Sequence, residues 1–288
     1  MKTGLVLSGG GARGAYEIGA LKKPMADEGR DYDAIYGASV GGLTAAGLSQ
    51  TPLGKPAEAI KWLEDLWLGL STKDIYVKWP LWPASVALKK SVYDSSPLAH
   101  LVRSKFSLAK ARASGKTVKV RAVNWETKEV RDVSQEDDDF IDWVLASASY
   151  PVMLLPVEIN GEEWTDGGAR DITPITAALL DGCKRIDVIT TDDPNLPSHR
   201  WDPKCQTAIT GYLPRLLTIT FDEVMRNDLR NVGINNPFVR LVDEYADVEF
   251  RVLQPTKRMN GFDSLDFSPE NIRKMIDIGY KEAYEENF

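Results

Sequence analysis

Histidine is nearly missing from this chain: His100 and His199 are the only two in 288 residues. Any chemistry that needs an imidazole base must use one of them. Cysteine is as scarce. Cys183 and Cys205 have no metal-ligand spacing, so they read as free thiols of a reducing compartment, and no metal is expected. No apolar run reaches the ~18 residues a spanning helix needs. Met1-Lys2-Thr3 leads at once into Leu5-Val6-Leu7 and then glycines, too short for the apolar region of a signal peptide. A cytoplasmic protein is therefore expected, with peripheral contact at a membrane left open. Basic excess is lacking too. A formal net charge of −7 argues against a nucleic-acid partner and against bulk attraction to anionic membranes, although local basic patches remain open.

What remains is ordinary for a globular protein: 43% apolar and 27% charged residues, over a length that suits one large domain or two small ones. No internal repeat and no Gly-, Ser- or Pro-rich linker divides the chain, so a single domain over 1–288 is expected. Thr3 to Ser8 reads as a buried strand. Gly9-Gly10-Gly11-Ala12-Arg13-Gly14 follows, then a helical pattern to about Glu28, closed by Gly29. Tyr32 to Tyr36 is a second short strand. After Gly37-Ala38-Ser39-Val40-Gly41, the stretch Gly42 to Leu48 reads as a helix. This alternation predicts an α/β fold of three layers, α/β/α, around a mainly parallel sheet.

Residues 52–100 differ in texture, holding Trp62, Trp67, Trp79 and Trp82, half of the eight tryptophans. Ala57 to Leu70 has one apolar face, and Pro80 and Pro83 then break regularity. A cap packed over the core is favoured here over a lid or an interfacial patch, although tryptophan suits the membrane–water boundary. Further on, Thr117–Asn124 and Glu129 to Val133 read as a hairpin, and Phe140 to Ser149 as a helix. The acidic run Glu136-Asp137-Asp138-Asp139 reads as a solvated helix start, without calcium-loop spacing. Val157 to Thr165 is a hairpin turning at Asn160-Gly161. Thr173-Pro174 is read as the cap and first residue of a helix to Asp181. Arg185 to Thr191 is a strand, Leu213 to Asn231 a helix, and Ala246 to Leu253 a late strand. Ser268-Pro269 caps the final helix.

Three glycine-rich turns, each following a predicted strand, carry the chemistry. Gly37 to Gly41 fits G-x-S-x-G, a strand-to-helix turn that pushes the Ser39 hydroxyl out of the fold. Gly9 to Gly14 also fits G-x-G-x-x-G. A dinucleotide site, however, needs an acidic residue at the end of the second strand, and Asp31 and Asp33 stand at its start. No nucleotide is expected. The loop instead offers backbone N–H groups at a helix start, suited to an oxyanion. Ser39, Asp166 and His199 follow the serine, acid, histidine order of α/β-hydrolases, but only one strand precedes this elbow, and both histidines read as surface residues. A carboxylate is the remaining base, and Asp166-Gly167-Gly168 supplies one in a turn that allows close backbone approach.

The three blocks together resemble the signature of the patatin-like phospholipase family. Ser147-Ala148-Ser149-Tyr150-Pro151 resembles its fourth block, and Leu265-Asp266-Phe267-Ser268-Pro269 with Ile278-Gly279-Tyr280 looks like the tail of bacterial members. The likeness covers most of residues 1–185. It implies a lipid acyl hydrolase without metal or other cofactor, acting on a lipid or related ester through a Ser-Asp dyad. Ser39 would be the nucleophile, Asp166 the base, and the N–H groups of Gly9, Gly10 and Gly11 the oxyanion hole. Arg13 matches the basic position of the first block, where contact with a lipid phosphate and pairing with a carboxylate of the fold both stand open. A soluble carboxylesterase would use the same residues; a catalytically silent lipid- or partner-binding protein is the alternative of another class. Oligomeric state is not legible.

Overall fold

The computed structural model describes residues 1–82, 84–193, 209–233, 245, 247–257, 264–286 and 288, with backbone only at 84, 85, 209–211, 213 and 214. His199 and Cys205 lie outside the described residues. The chain opens as anticipated. Strand β1 (Thr3–Leu7) leads through a short 3-10 turn, Gly11–Arg13, into α1 (Gly14–Leu21), which continues as a π-helical stretch over Lys22–Asp27. Gly29 lies just past its end at φ +69°, the left-handed position a helix stop requires. Strand β2 (Ala34–Ala38) and helix α2 (Val40–Leu48) follow without a loop.

Among the described residues the main sheet has eight strands. Five run parallel, in the order β10 (Glu249–Leu253), β9 (Arg185–Ile189), β1, β2 and β5 (Thr117–Asn124). Three strands joined by antiparallel pairing extend it: β6 (Val130–Ser134) and β8 (Glu162–Asp166) on β5, and β7 (Val157–Ile159) on β8. The β7–β8 turn is at Asn160 and Gly161, both with positive φ, as a two-residue hairpin demands.

The side-chain alternation of the central strands builds the three layers. Leu5, Leu7 and Ile35 join one apolar cluster with α1, α2 and α3 (Pro56–Leu68). Val6, Ala34 and Tyr36 join another, with α8 (Ile175–Leu180) and α9 (Ile209–Asn231). Strands covered on both faces read as continuous apolar runs, which is why β1 and β2 were legible. Cys183 is a buried free thiol beside Tyr36 in the second cluster. Within the tryptophan-rich segment, Trp67 is buried against Phe267, and the half-buried Trp62 packs on Phe106 against the edge of the core.

Two local readings need correction. Thr173 does not cap α8: the helix begins at Ile175, and among the described residues the Thr173 hydroxyl has no hydrogen-bond partner. The backbone there is held instead by Asp228 of α9, whose Oδ2 accepts the N–H groups of Ile172 (2.8 Å) and Thr173 (3.0 Å). The late strand is also shorter than expected, starting at Glu249.

Helix α10 (Pro269–Glu285), capped by the Ser268 hydroxyl accepting the Asn271 N–H, packs on α1 through two glycines. A Cβ added at Gly279 would lie 2.1 Å from the Tyr16 carbonyl oxygen; one added at Gly19 would lie 2.0 Å from that of Ile276. An exposed helical Gly→Ala change gains up to about 1 kcal/mol from propensity. Gly279→Ala should do the opposite, forcing the helices apart and costing on the order of 1–3 kcal/mol in urea unfolding. A more stable variant would contradict this packing.

Candidate active site

Ser39 sits between β2 and α2 at φ 56°, ψ −130°, a strained conformation for a residue with a Cβ. The flanking glycines are a steric requirement. A Cβ at Gly37 would lie 2.2 Å from the Gly41 carbonyl oxygen, and one at Gly41 2.4 Å from that of Leu7. The Ser39 N–H donates to the Ser147 hydroxyl at 3.1 Å, which ties the elbow to the end of α7 (Phe140–Ser147).

Sheet register brings Asp166 to Ser39. Strand β2 pairs in parallel with Thr117 to Arg121 of β5; β8 pairs antiparallel with Ala122 to Asn124. Strand β6 already pairs with residues 119–123, and a strand has only two edges. Strands β2 and β8 therefore share one edge of β5 and meet head-on, Ala38 opposite Arg121 and Asp166 opposite Ala122. The carbonyl of Ser149 fixes the end of β8 by accepting from the Asp166 N–H (3.1 Å) and the Thr165 hydroxyl (2.7 Å). Arg121 clamps the following loop, pairing with Asp132 in a two-pronged contact and with Asp171.

Asp166 is wholly buried. Its Oδ1 accepts the Gly168 N–H at 2.8 Å, while Oδ2 has no hydrogen bond of good geometry. Burial pushes this carboxyl up to about 7; the nearby Ser39 hydroxyl and the Gly168 N–H pull it part of the way back. The Ser39 hydroxyl thus faces a carboxylate with an open acceptor oxygen.

The glycine loop lies against the elbow: a Cβ on Gly9 would be 2.8 Å from that of Ser39. The expectation of three oxyanion donors needs amending. The Gly9 N–H donates to the Ile172 carbonyl at 3.0 Å, so it is already engaged. Gly10 and Gly11 line the same cavity as Ser39, and among the described residues their N–H groups donate to nothing. Thr191, just beyond β9, anchors the loop: its hydroxyl donates to the Gly9 carbonyl at 2.5 Å, and its N–H donates to the Ser8 hydroxyl at 3.0 Å.

Of the two readings of Arg13, the geometry supports the internal one. Its buried guanidinium pairs with Asp192 at 2.5 Å and donates to the Gly10 carbonyl at 3.2 Å, fastening the loop to the chain after β9. Sequence reasoning missed Ser147, Thr191 and Asp192 as supports. Ser147 stood in a recognised block without a role, Thr191 read as the end of a strand, and Asp192 as the start of the polar loop after it. His100 is exposed on α5 (Ser96–Lys105) and is not among the residues lining the cavity at Ser39.

That cavity is walled mainly by apolar side chains, including Leu63, Trp67, Leu98, Val102, Phe106 and Phe221. A hydroxyl on a strained elbow, a carboxylate of raised basicity and two unpartnered amides can together carry acyl transfer. The family model for patatin-like phospholipases matches residues 5–179, more than half of the sequence. The chain belongs to the patatin-like phospholipase family. Among solved structures it is similar to VipD from Legionella pneumophila, at 15% identity and a TM-score of 0.47, over 99% of this chain and 66% of that one. It therefore spans about two thirds of that protein's length. No curated protein matches it.

Burial of Asp166 has a consequence for stability. Its folded value of about 7 exceeds the ~3.9 of an unfolded chain, so ionisation favours unfolding. The penalty begins near pH 4, grows with pH and is complete above about pH 7. Asp166→Asn should therefore unfold at higher temperature than the wild type, with a gain larger at pH 8 than at pH 4. Equal midpoints at both pH values would contradict a carboxyl held near 7.

Proposed function

We propose that the protein hydrolyses acyl esters of phospholipids or related lipids, with Ser39 as nucleophile and Asp166 as general base. One observation carries this reading. Ser39, on its strained elbow, lines an apolar cavity and stands beside the buried Asp166, one of whose oxygens is open among the described residues. Asp166 accepts the Ser39 proton as the serine oxygen attacks the ester carbonyl. The N–H groups of Gly10 and Gly11 receive the developing oxyanion, each such donor contributing about 3 kcal/mol. The alcohol leaves with the proton, and water repeats the sequence on the acyl-enzyme, with Asp166 again taking a proton. Strong burial answers the difficulty that an ordinary aspartate is too weak a base: at about 7 its conjugate acid is matched to neutral operation. The apolar walls fit an acyl chain, and they favour a lipid over a short, polar ester as the natural substrate.

Hydrolysis of soluble p-nitrophenyl esters tests this. Ser39→Ala and Asp166→Asn should each lower kcat by about 10³-fold or more without loss of fold. Wild-type kcat/KM should rise with pH and level off above about 7, as the base loses its proton. Octanoyl esters should be preferred to acetyl esters. Full activity in Asp166→Asn, combined with its loss in His199→Ala, would replace the dyad with a triad. Unchanged activity in Ser39→Ala would remove the enzymatic reading.

A further inference from the structure

Between two segments that wall the cavity, the chain makes an excursion into solvent. Ile75 and Tyr76 line the cavity; so do Leu98 and Leu101 on α5. The residues between them form a small antiparallel pair, β3 (Val77–Lys78) and β4 (Tyr93–Asp94), joined by a projecting loop. Its base is firm. The rings of Tyr76 and Tyr93 stand 4.5 Å apart, the Trp79 indole N–H donates to the Ser91 carbonyl at 3.1 Å, and the N–H of Val92 donates to the Val152 carbonyl at 2.8 Å.

The tip is built against the usual rules for a soluble surface. Trp79-Pro80-Leu81-Trp82 closes with the Trp82 N–H on the Trp79 carbonyl, 3.1 Å. Proline at the second position and φ +58° at Leu81 make a turn that favours glycine or asparagine where Leu81 stands. That leucine is 87% exposed, and Leu88, across the loop, is 88% exposed. Around them Lys78 lies over the Trp82 ring (4.7 Å) and Lys89 over that of Trp79 (4.6 Å), while Lys90 pairs with Glu163. Residues 77–90 hold three lysines and no acidic residue, in a chain of net charge −7.

We propose that this loop docks the protein on an anionic lipid bilayer, with Leu81 and Leu88 entering the acyl region and Lys78 and Lys89 meeting headgroup phosphates. Exposed leucines, tryptophans at their sides and local positive charge are what such an interface selects. The loop also fits the cavity. Residues flanking both its ends line the cavity, so docking through this loop brings a bilayer to the part of the protein that also holds Ser39. The choice of a bilayer over a protein partner rests on the lipid-hydrolase reading and on this charge asymmetry.

Sedimentation with sucrose-loaded vesicles tests the docking, using Ser39→Ala protein so that no lipid is consumed. The protein should bind vesicles of phosphatidylcholine mixed with phosphatidylglycerol more tightly than phosphatidylcholine alone. Leu81→Gly combined with Leu88→Ser should weaken binding about tenfold for each leucine withdrawn. The glycine relaxes the turn, so folding should be unharmed. Lys78→Gln with Lys89→Gln should weaken binding about fivefold per charge and abolish the lipid preference. In the active enzyme the leucine variant should keep wild-type turnover of a soluble butyrate ester. Undiminished vesicle binding by the leucine variant, no binding by the parent, or self-association that the leucine variant abolishes would each overturn the proposal. Loss of vesicle binding in the variant, in a protein that cleaves no ester, would support the docking and refute the hydrolase reading instead.

Discussion

The structure depends on one shared strand edge. Strand β5 accepts β2 along its first half and β8 along its second, from opposite directions, so two chain segments more than a hundred residues apart end face to face. Nothing flexible intervenes between the sheet and either side chain. Ser39 follows β2 at once, and Asp166 is the last residue of β8. A site set on strand ends is held by main-chain hydrogen bonds and does not rely on loop positioning. The antiparallel pairing of β8 on β5, in a mainly parallel sheet, is what makes this meeting possible: a parallel strand in its place would bring its opposite end to Ala122.

Three local departures from stability gather at that junction. Ser39 is strained and, among the described residues, Asp166 lacks a hydrogen-bond partner for one oxygen and Gly10 and Gly11 leave two amides unused. Each would be costly in isolation. They persist because their surroundings are over-determined. Ser147 holds the elbow, Ser149 holds the end of β8, and the Arg13–Asp192 pair with Thr191 holds the glycine loop. In the proposed mechanism these same features are the nucleophile, base and oxyanion donors, so the destabilisation is the counterpart of the chemistry.

Much of this was legible in the sequence. The buried parallel strands announced themselves as continuous apolar runs, and the glycines of the elbow and of the first loop marked places where a Cβ cannot fit. The scarcity of histidine turned attention to Asp166. Local pattern could not show which glycine amides were free, because Gly9 is engaged by Ile172, a partner far away in sequence. The role of Arg13 was hidden for the same reason, since Asp192 lies 179 residues on. Thr173 looked like a helix cap because its local signal was strong, yet Asp228 on α9 decides that backbone. The tryptophans split by environment: Trp67 is core and Trp62 packs against it, while Trp79 and Trp82 flank a turn whose exposed leucine no periodicity would reveal.

The central claim is that Asp166, at the head-on junction of β2 and β8, is the base for Ser39. Covalent labelling by a fluorophosphonate, followed across pH and mapped by peptide mass spectrometry, tests it most directly. The label should fall on Ser39, its rate rising to a plateau above about pH 7, and Asp166→Asn should react far more slowly at every pH. Labelling of another residue, or of Ser39 at an undiminished rate in Asp166→Asn, would contradict the account.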